Sequence, residues 1–380
     1  MKPEDTYYDI AVAGGGLAGL ALAIQGARAG YRVVLIEKEK YPFHKVCGEY
    51  VSLESWDFLE ELGLPLSEMK LPVIHKLNVS APNGRIIEHM LPLGGFGISR
   101  YALDSLLASL AVKNGVKLIE KTKVRNINFE QDHFTLECDG LTVRSRTAAG
   151  GFGKRSNLDT AWQRKFTLQK ADKLNNYIGV KYHVQFEFPD DTIALHNFKN
   201  GYCGISKIED DKCCLCYLTT AYNLKASNND IKQMESNVLG RNPWLKKIFQ
   251  SAQFLPGFPV VISQISFAVR SQVEKHVLLI GDSAGVISPL CGNGMSMALH
   301  GSKIAFEKIN NYLLQKNTLQ QMEDEYQYDW NRTFESRLRT GRIIQRFFGS
   351  PFLSNLLIST LKPFPALVNR IISETHGQPF

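Results

Sequence analysis

Tyr8-Asp9-Ile10-Ala11-Val12-Ala13 runs into Gly14-Gly15-Gly16-Leu17-Ala18-Gly19 and on into Leu20-Ala21-Leu22-Ala23-Ile24. The run reads as a buried strand, a glycine turn and the start of a helix. Each spaced glycine has its own steric reason: Gly14 permits the tight turn, Gly16 lets a pyrophosphate approach the backbone, and Gly19 lets the helix pack close to the strand. The phosphates then meet the unpaired N–H groups and the positive dipole end of that helix. A second strand, Arg32 to Ile36, ends in Glu37, whose carboxylate can accept both hydroxyls of an adenosine ribose about 20 residues beyond the glycines. Strand, glycine turn, helix, strand and terminal acid stand in the order a dinucleotide site requires.

A second informative stretch lies far along the chain. Val277-Leu278-Leu279-Ile280 is a continuous apolar strand that ends in Gly281-Asp282. Such an end puts one carboxylate at the carboxyl edge of a parallel sheet, where ligands of these sheets bind. Pro289-Leu290-Cys291-Gly292-Asn293-Gly294 then aims the N-terminus of the helix from Met295 to Ile309 at whatever carries negative charge beside Asp282. A flavin meets both demands, with a ribityl hydroxyl for the acid and an N1/O2 edge for the helix end.

Between these stretches, Tyr41 to Ser52 gathers His44, Lys45, Cys47 and Glu49 around Gly48 in one connector. A helix from Leu53 to Leu62 follows, then a hairpin from Ile74 to Ile87 that turns at Pro82-Asn83-Gly84. Ser99 caps a helix from Tyr101 to Asn114, and Arg100 at its start offers a fork that suits a phosphate. Short strands are expected at 117–119, 124–129, 134–138, 141–144 and 147–149. Alternating strands across 177–220 form a β-rich region. Within it Cys213, Cys214 and Cys216 lack a second Cys or His pair at finger spacing, so they read as core cysteines and no metal site is expected. HExxH is missing and no serine reads as a nucleophile elbow, which leaves hydrolysis by metal or triad unsupported.

At 380 residues the chain has room for two or three cores, and a net charge of +7 without a Lys/Arg block gives no footprint for nucleic acid. Seven cysteines without a leader-like N-terminus fit a reducing, cytoplasmic setting. No apolar run reaches the roughly 18 residues of a spanning helix.

Taken together, the glycine fingerprint with Glu37, Arg100 opening its helix, and GDSAG followed by PLCGNG resemble the FAD-dependent superfamily of aromatic hydroxylases, flavin halogenases and geranylgeranyl reductases. Lys45-Val46-Cys47-Gly48 together with PLCGNG resembles the geranylgeranyl reductase branch most. The resemblance covers about residues 5 to 310. It implies an α/β fold: a Rossmann-like FAD-binding domain (1–75, 97–160 and 265–315), a β-rich substrate domain (76–96 and 161–264) and a helical C-terminal cap (316–380). It also implies that FAD is held by Gly14, Gly16, Leu17, Ala18, Gly19, Glu37, Lys38, Lys45, Cys47, Gly48, Arg100, Gly281, Asp282, Pro289, Gly292, Asn293 and Gly294. By the same resemblance Cys47 lies near the isoalloxazine and is the catalytic residue, and Tyr202 and Gly204 face the substrate.

The chain departs from the family at two places. Gly150-Gly151 stands where the hydroxylases carry Asp-Gly, and Tyr202-Cys203-Gly204-Ile205-Ser206 stands where the reductases carry Tyr-x-Trp-x-Phe-Pro. With only one GxGxxG unit, the expected reductant is a transiently docked NAD(P)H or a protein donor. Three readings stay open: reduction of carbon–carbon double bonds in a hydrophobic metabolite, hydroxylation of an aromatic or polyketide-like one, and a flavin-binding protein without turnover. The cysteine loop favours the first. The tail adds a charged helix over 319–348 and an apolar one from Ser350, broken at Pro363 and Pro365. Arg337, Arg339, Arg342, Arg346, Lys362 and Arg370 stand there with no acid between Glu335 and Glu374. A cap on the substrate domain is the expected role, and peripheral contact with a membrane surface is the second.

Overall fold

The computed structural model describes residues 7–169, 176–347, 350–361 and 363–380, so Phe348 and Lys362 of the tail lie outside the described residues. Two sheets organise the chain. The first has the spatial order Val273–Glu274, Val277–Leu279, Leu141–Gly150, Tyr7–Ala13, Val33–Ile36, Lys117–Ile119. Its four central pairings are parallel, and Ala13 lies opposite both Ile36 and Gly150, with Leu279 also opposite Gly150. Four strand ends therefore stop at one edge, and the loops that leave them share it. Toward that edge the strands are apolar and buried, at 10–13, 33–36, 148–150 and 277–279, as covered parallel sheets require. Helix Leu17–Arg28 lies against the long helix Gly294–Leu313. Ile10, Val12, Leu20, Leu22, Val34, Leu35, Leu278 and Leu299 are fully buried in their shared core.

Residues 141–150 form one continuous strand rather than two short ones, because Arg144 to Gly150 pair with Tyr7 to Ala13 along the whole length. The expected helix after Ser52 opens as a 3-10 turn, Leu53–Ser55, before the α-helix Trp56–Glu61.

The second sheet runs Gln253–Phe254, Tyr177–Gln185, Cys213–Thr220, Gly201–Lys207, Thr192–Phe198, Val73–Ser80, Ile86–Gly97, Tyr50–Ser52, with Val260–Ile265 beside Tyr177–Gln185. Alternation divides its two faces. Ile178, Val180, Val184, Ile205 and Leu215 pack against Met234, Leu239, Leu245 and Ile248 of the helical segment 231–251. The opposite face carries Gly179, Lys181 and His183, register-matched to Leu218, Cys216 and Cys214, and then to Tyr202, Gly204 and Ser206. That face looks toward the first sheet.

The tail forms three helices, Leu319–Phe347, Pro351–Leu361 and Pro365–Ser373. Tyr326 and Trp330 anchor the first: Tyr326 Oη donates to Leu279 O at 2.5 Å, and Trp330 abuts Gly285. Ile358 and Ile372 seat the other two on strands of the second sheet. Among the described residues no helix is long and apolar enough to cross a membrane.

Candidate functional site

A cavity of about 1020 Å³ opens between the carboxyl edge of the first sheet and the inner face of the second. Drug-sized ligands occupy sites of about 300–1,000 Å³, so this one has room for an extended dinucleotide. Its walls include every residue assigned above to cofactor or substrate except Gly19. Gly19 sits behind the wall, where a Cβ would run into Gly14 O and approach Val12 Cγ1 to 3.2 Å, so its absent side chain brings helix and strand together.

The glycine turn fits its neighbours closely. Gly14 has φ +107°, and a Cβ there would lie 2.5 Å from Gly151 O. The Gly150-Gly151 pair thus forms the other side of a tight backbone contact, tied by Gly151 N–H to Ala13 O at 2.8 Å. At Gly16 a Cβ would meet nothing nearer than Gly151 O at 3.9 Å and Arg100 Nη2 at 4.0 Å. The space in front of this glycine is open and faces a guanidinium. Neither helix Leu17–Arg28 nor helix Gly294–Leu313 has a side-chain cap, so both present free N–H groups at the cavity.

Glu37 accepts from Gly15 N–H at 2.7 Å and Glu39 N–H at 3.0 Å, which fixes the carboxylate while each oxygen keeps a lone pair. Gly281, at φ +59°, abuts the start of the first helix, its Cβ position only 3.2 Å from Ala18 Cβ. Asp282 and the glycine turn therefore meet on the same wall although some 270 residues of chain separate them. These observations fit FAD: a phosphate cradle between Gly16 and Arg100, a ribose acceptor at Glu37, and Asp282 with the Gly292–Gly294 helix end for ribityl and ring.

The sequence reading missed several residues that build this arrangement. Arg100 is paired to Asp104 through Nε and Nη2 at 2.7 and 2.8 Å, and Lys45 Nζ reaches the same carboxylate at 3.0 Å. Burial alone raises the Asp104 carboxyl, but Arg100 and Lys45 outweigh it and hold it below the usual range. Two cations share one buried acid and leave a net positive charge beside the phosphate cradle. Tyr41 Oη donates to Gly15 O at 2.5 Å, and Lys45 Nζ donates to the same oxygen at 3.3 Å. The connector that carries Cys47 thus grips the glycine turn directly.

The connector is also pinned at its other end. Glu49, fully buried at φ +56°, accepts from Lys181 Nζ at 2.5 Å and Arg100 N–H at 2.8 Å on one oxygen, and bonds His183 Nε2 at 2.6 Å on the other. Burial pushes the Glu49 carboxyl up, yet the bond from His183 and the charge of Lys181 outweigh it and lower it overall. Cys214 Sγ donates to Cys47 O at 3.3 Å, and Val46 fills the space over Gly179. Glu49, His183 and Cys214 bring their ligating atoms within 4.8 Å of one another. The Lys181 ammonium already supplies the positive charge at that carboxylate, so the group acts as an ion-paired clamp. Cys214 is hence more than a core cysteine. His44, stacked on Tyr101 at 4.6 Å and edge-on to His183 at 5.1 Å, has its pKa pulled down to about 4, by burial first and then by Lys181. It faces the cavity neutral.

The fold and the paired glycine turn and acid edge define a two-sheet flavoprotein with its dinucleotide cavity between the sheets. A family model described as an FAD binding domain matches residues 9–44. The chain is 24% identical to conditioned medium factor receptor 1 of Dictyostelium discoideum, across 90% of this chain and 72% of that protein. It is 23% identical to the digeranylgeranylglycerophospholipid reductase of Methanococcus vannielii, across 87% and 84%. In structure it resembles a flavin-dependent brominase (TM-score 0.79, 18% identity, 97% and 93% covered). It also resembles a geranylgeranyl bacteriochlorophyll reductase-like protein of Thermoplasma acidophilum (0.75, 18%, 96% and 91%). The FAD-binding match and the reductase relatives mark the chain as an FAD-dependent oxidoreductase, and the solved structures show that it shares their fold.

Proposed function

We propose that this FAD-dependent oxidoreductase reduces carbon–carbon double bonds in a hydrophobic metabolite. The observation that carries the reading is the position of Cys47. Its loop is held to the glycine turn through Tyr41 and Lys45 and to the second sheet through Glu49 and Cys214, and it lines the cavity where the two compartments meet. Cys47 lines the same cavity as the apolar residues Ile193, Leu195, Leu218, Ile262, Ile265, Phe267 and Val286, which supports a role for its thiol beside both cofactor and substrate. Bound FAD supplies hydride chemistry. Cys47 is then placed to give the proton that completes saturation, and the apolar wall excludes water from the reacting carbons. The reductant is NAD(P)H docking transiently or a protein donor.

The test is to mix reduced enzyme anaerobically with candidate alkenes and follow flavin absorbance. A reductase reoxidises without oxygen. Reoxidation that requires oxygen, with an oxygenated product, would overturn this reading in favour of a monooxygenase.

A further inference from the structure

Strand Gly201–Lys207 turns Tyr202, Gly204 and Ser206 toward the cavity, three successive positions of one face. Tyr202 is 4% exposed and packs among Leu195, Leu218, Ile265, Phe267 and Val286. Ser206 is 1% exposed. Yet neither Tyr202 Oη nor Ser206 Oγ has a hydrogen-bond partner among the described residues. Tyr50, whose Oη is likewise unpartnered among the described residues, also lines the cavity, its ring 3.2 Å from the Cβ position of Gly292 at the PLCGNG turn.

A buried tyrosine hydroxyl normally finds a partner, and one left unmade costs about 1–3 kcal/mol. Such hydroxyls beside the apolar wall of the cavity are what a purely hydrocarbon ligand would leave unsatisfied. The surrounding sheet offers no compensation, since its backbone groups on this strand are taken by the ladders to 192–198 and 213–220. Gly204 keeps the floor between Tyr202 and Ser206 low, its nearest obstacle to a Cβ being Leu195 Cδ2 at 3.4 Å. Tyr202 and Ser206 are four positions apart on the strand, a backbone separation of about 13 Å at roughly 3.3 Å per residue, so an apolar skeleton can lie along the strand from one to the other. Burial holds the Tyr202 phenol well above its ordinary range, so it remains a donor.

We propose that the substrate bears a hydrogen-bonding oxygen, a carbonyl or hydroxyl, on an otherwise apolar skeleton, and that Tyr202 Oη donates to it, with Ser206 Oγ as the second polar contact. Tyr202 is on this assignment the residue that determines substrate class. The inference rests on the reading above only in placing substrate in this cavity, and its test requires no turnover.

The experiment is calorimetric titration of the full-length, oxidised, FAD-loaded protein with two matched probe pairs, farnesol against farnesene and menadione against methylnaphthalene. The wild type should bind the oxygenated member of at least one pair about tenfold tighter, which corresponds to about 1.4 kcal/mol. Tyr202→Phe should abolish that preference while it leaves hydrocarbon affinity and the bound-flavin spectrum unchanged. Equal affinity within both pairs for the wild type, failure of both oxygenated probes to bind, or a preference that survives Tyr202→Phe would overturn the proposal. Loss of anaerobic reoxidation together with a retained probe preference would count against double-bond reduction alone.

Discussion

The two walls of the cavity are held by different means. The cofactor wall is built from short loops at the end of one parallel sheet, where Gly14, Gly16 and Gly151 act through backbone shape and Glu37 through a carboxylate that backbone N–H groups fix. Gly14, Gly16 and Glu37 all lie within the first forty residues. The clamp over the substrate wall is built from side chains distant in sequence, Glu49 against Lys181, His183 and Cys214, none nearer than 130 residues. One wall depends on the room glycines leave. The other depends on compensated buried charge. Substitutions should therefore damage them differently: a glycine change costs cofactor, whereas a broken ion pair costs the fold.

The largest effect is expected at the clamp. Glu49→Ala leaves Lys181 buried without its counter-ion, and loss of one partner of such a pair costs about 3–5 kcal/mol. Urea unfolding of the FAD-loaded protein measures it, and the added change Lys181→Met should recover part of the loss. A pH series sharpens the comparison. The Glu49 carboxyl lies below its ordinary 4.5 when folded, so its stabilisation is fully present above that value. It disappears as pH falls through the lowered folded value. The wild type should lose more stability than the double variant over that acid range, and parallel pH profiles would show that the pair contributes nothing net.

This asymmetry also explains what the sequence disclosed. The glycine turn, Glu37, Asp282 and PLCGNG were legible because each motif is contiguous and its chemistry follows from backbone geometry. Cys47 was legible through its loop, and the hairpin at Pro82-Asn83-Gly84 through its turn residues. The clamp was not. In Tyr177–Gln185 the alternation of Lys181 and His183 with apolar residues reads as a strand with one wet face, whereas the strand is buried on both sides up to Val184. Only the fold brings Glu49 over those two positions. Asp104 was hidden in the same way: four residues after Arg100 it looks like a surface helix pair, but it is 1% exposed and shared with Lys45. One signal was available, since Lys181-x-His183 and Cys214-x-Cys216 are both same-face pairs on strands, but which face meets the cavity is a tertiary fact.

A smaller effect on stability and a larger one on cofactor are expected at the other wall. Gly14→Ala places a side chain in left-handed backbone and against Gly151 O, a strain of about 1–3 kcal/mol. Because the strained contact is the cradle itself, the variant should purify largely colourless while its urea midpoint moves less than that of Glu49→Ala. Full flavin content would show that the loops can separate without loss of the site.

The smallest effect on folding should come from Cys47→Ala, and this variant separates the two walls most cleanly. Cys47 is half-buried, and it is the backbone carbonyl of this residue, not its thiol, that Cys214 holds. Removing Sγ therefore leaves the clamp, the grip of Tyr41 and Lys45 on Gly15 O, and the cradle intact. A surface-type cost within about 0.5 kcal/mol is expected, with undiminished yellow colour. Turnover with an alkene, scored by anaerobic flavin reoxidation, should fall by about 100-fold or more if the thiol delivers the proton, the range over which a positioned acid acts. Cys47→Ser, which keeps a proton in nearly the same place, should recover part of the rate. A Cys47→Ala protein that reoxidises at the wild-type rate would remove the thiol from the chemistry and leave the loop as a structural strap between the two walls.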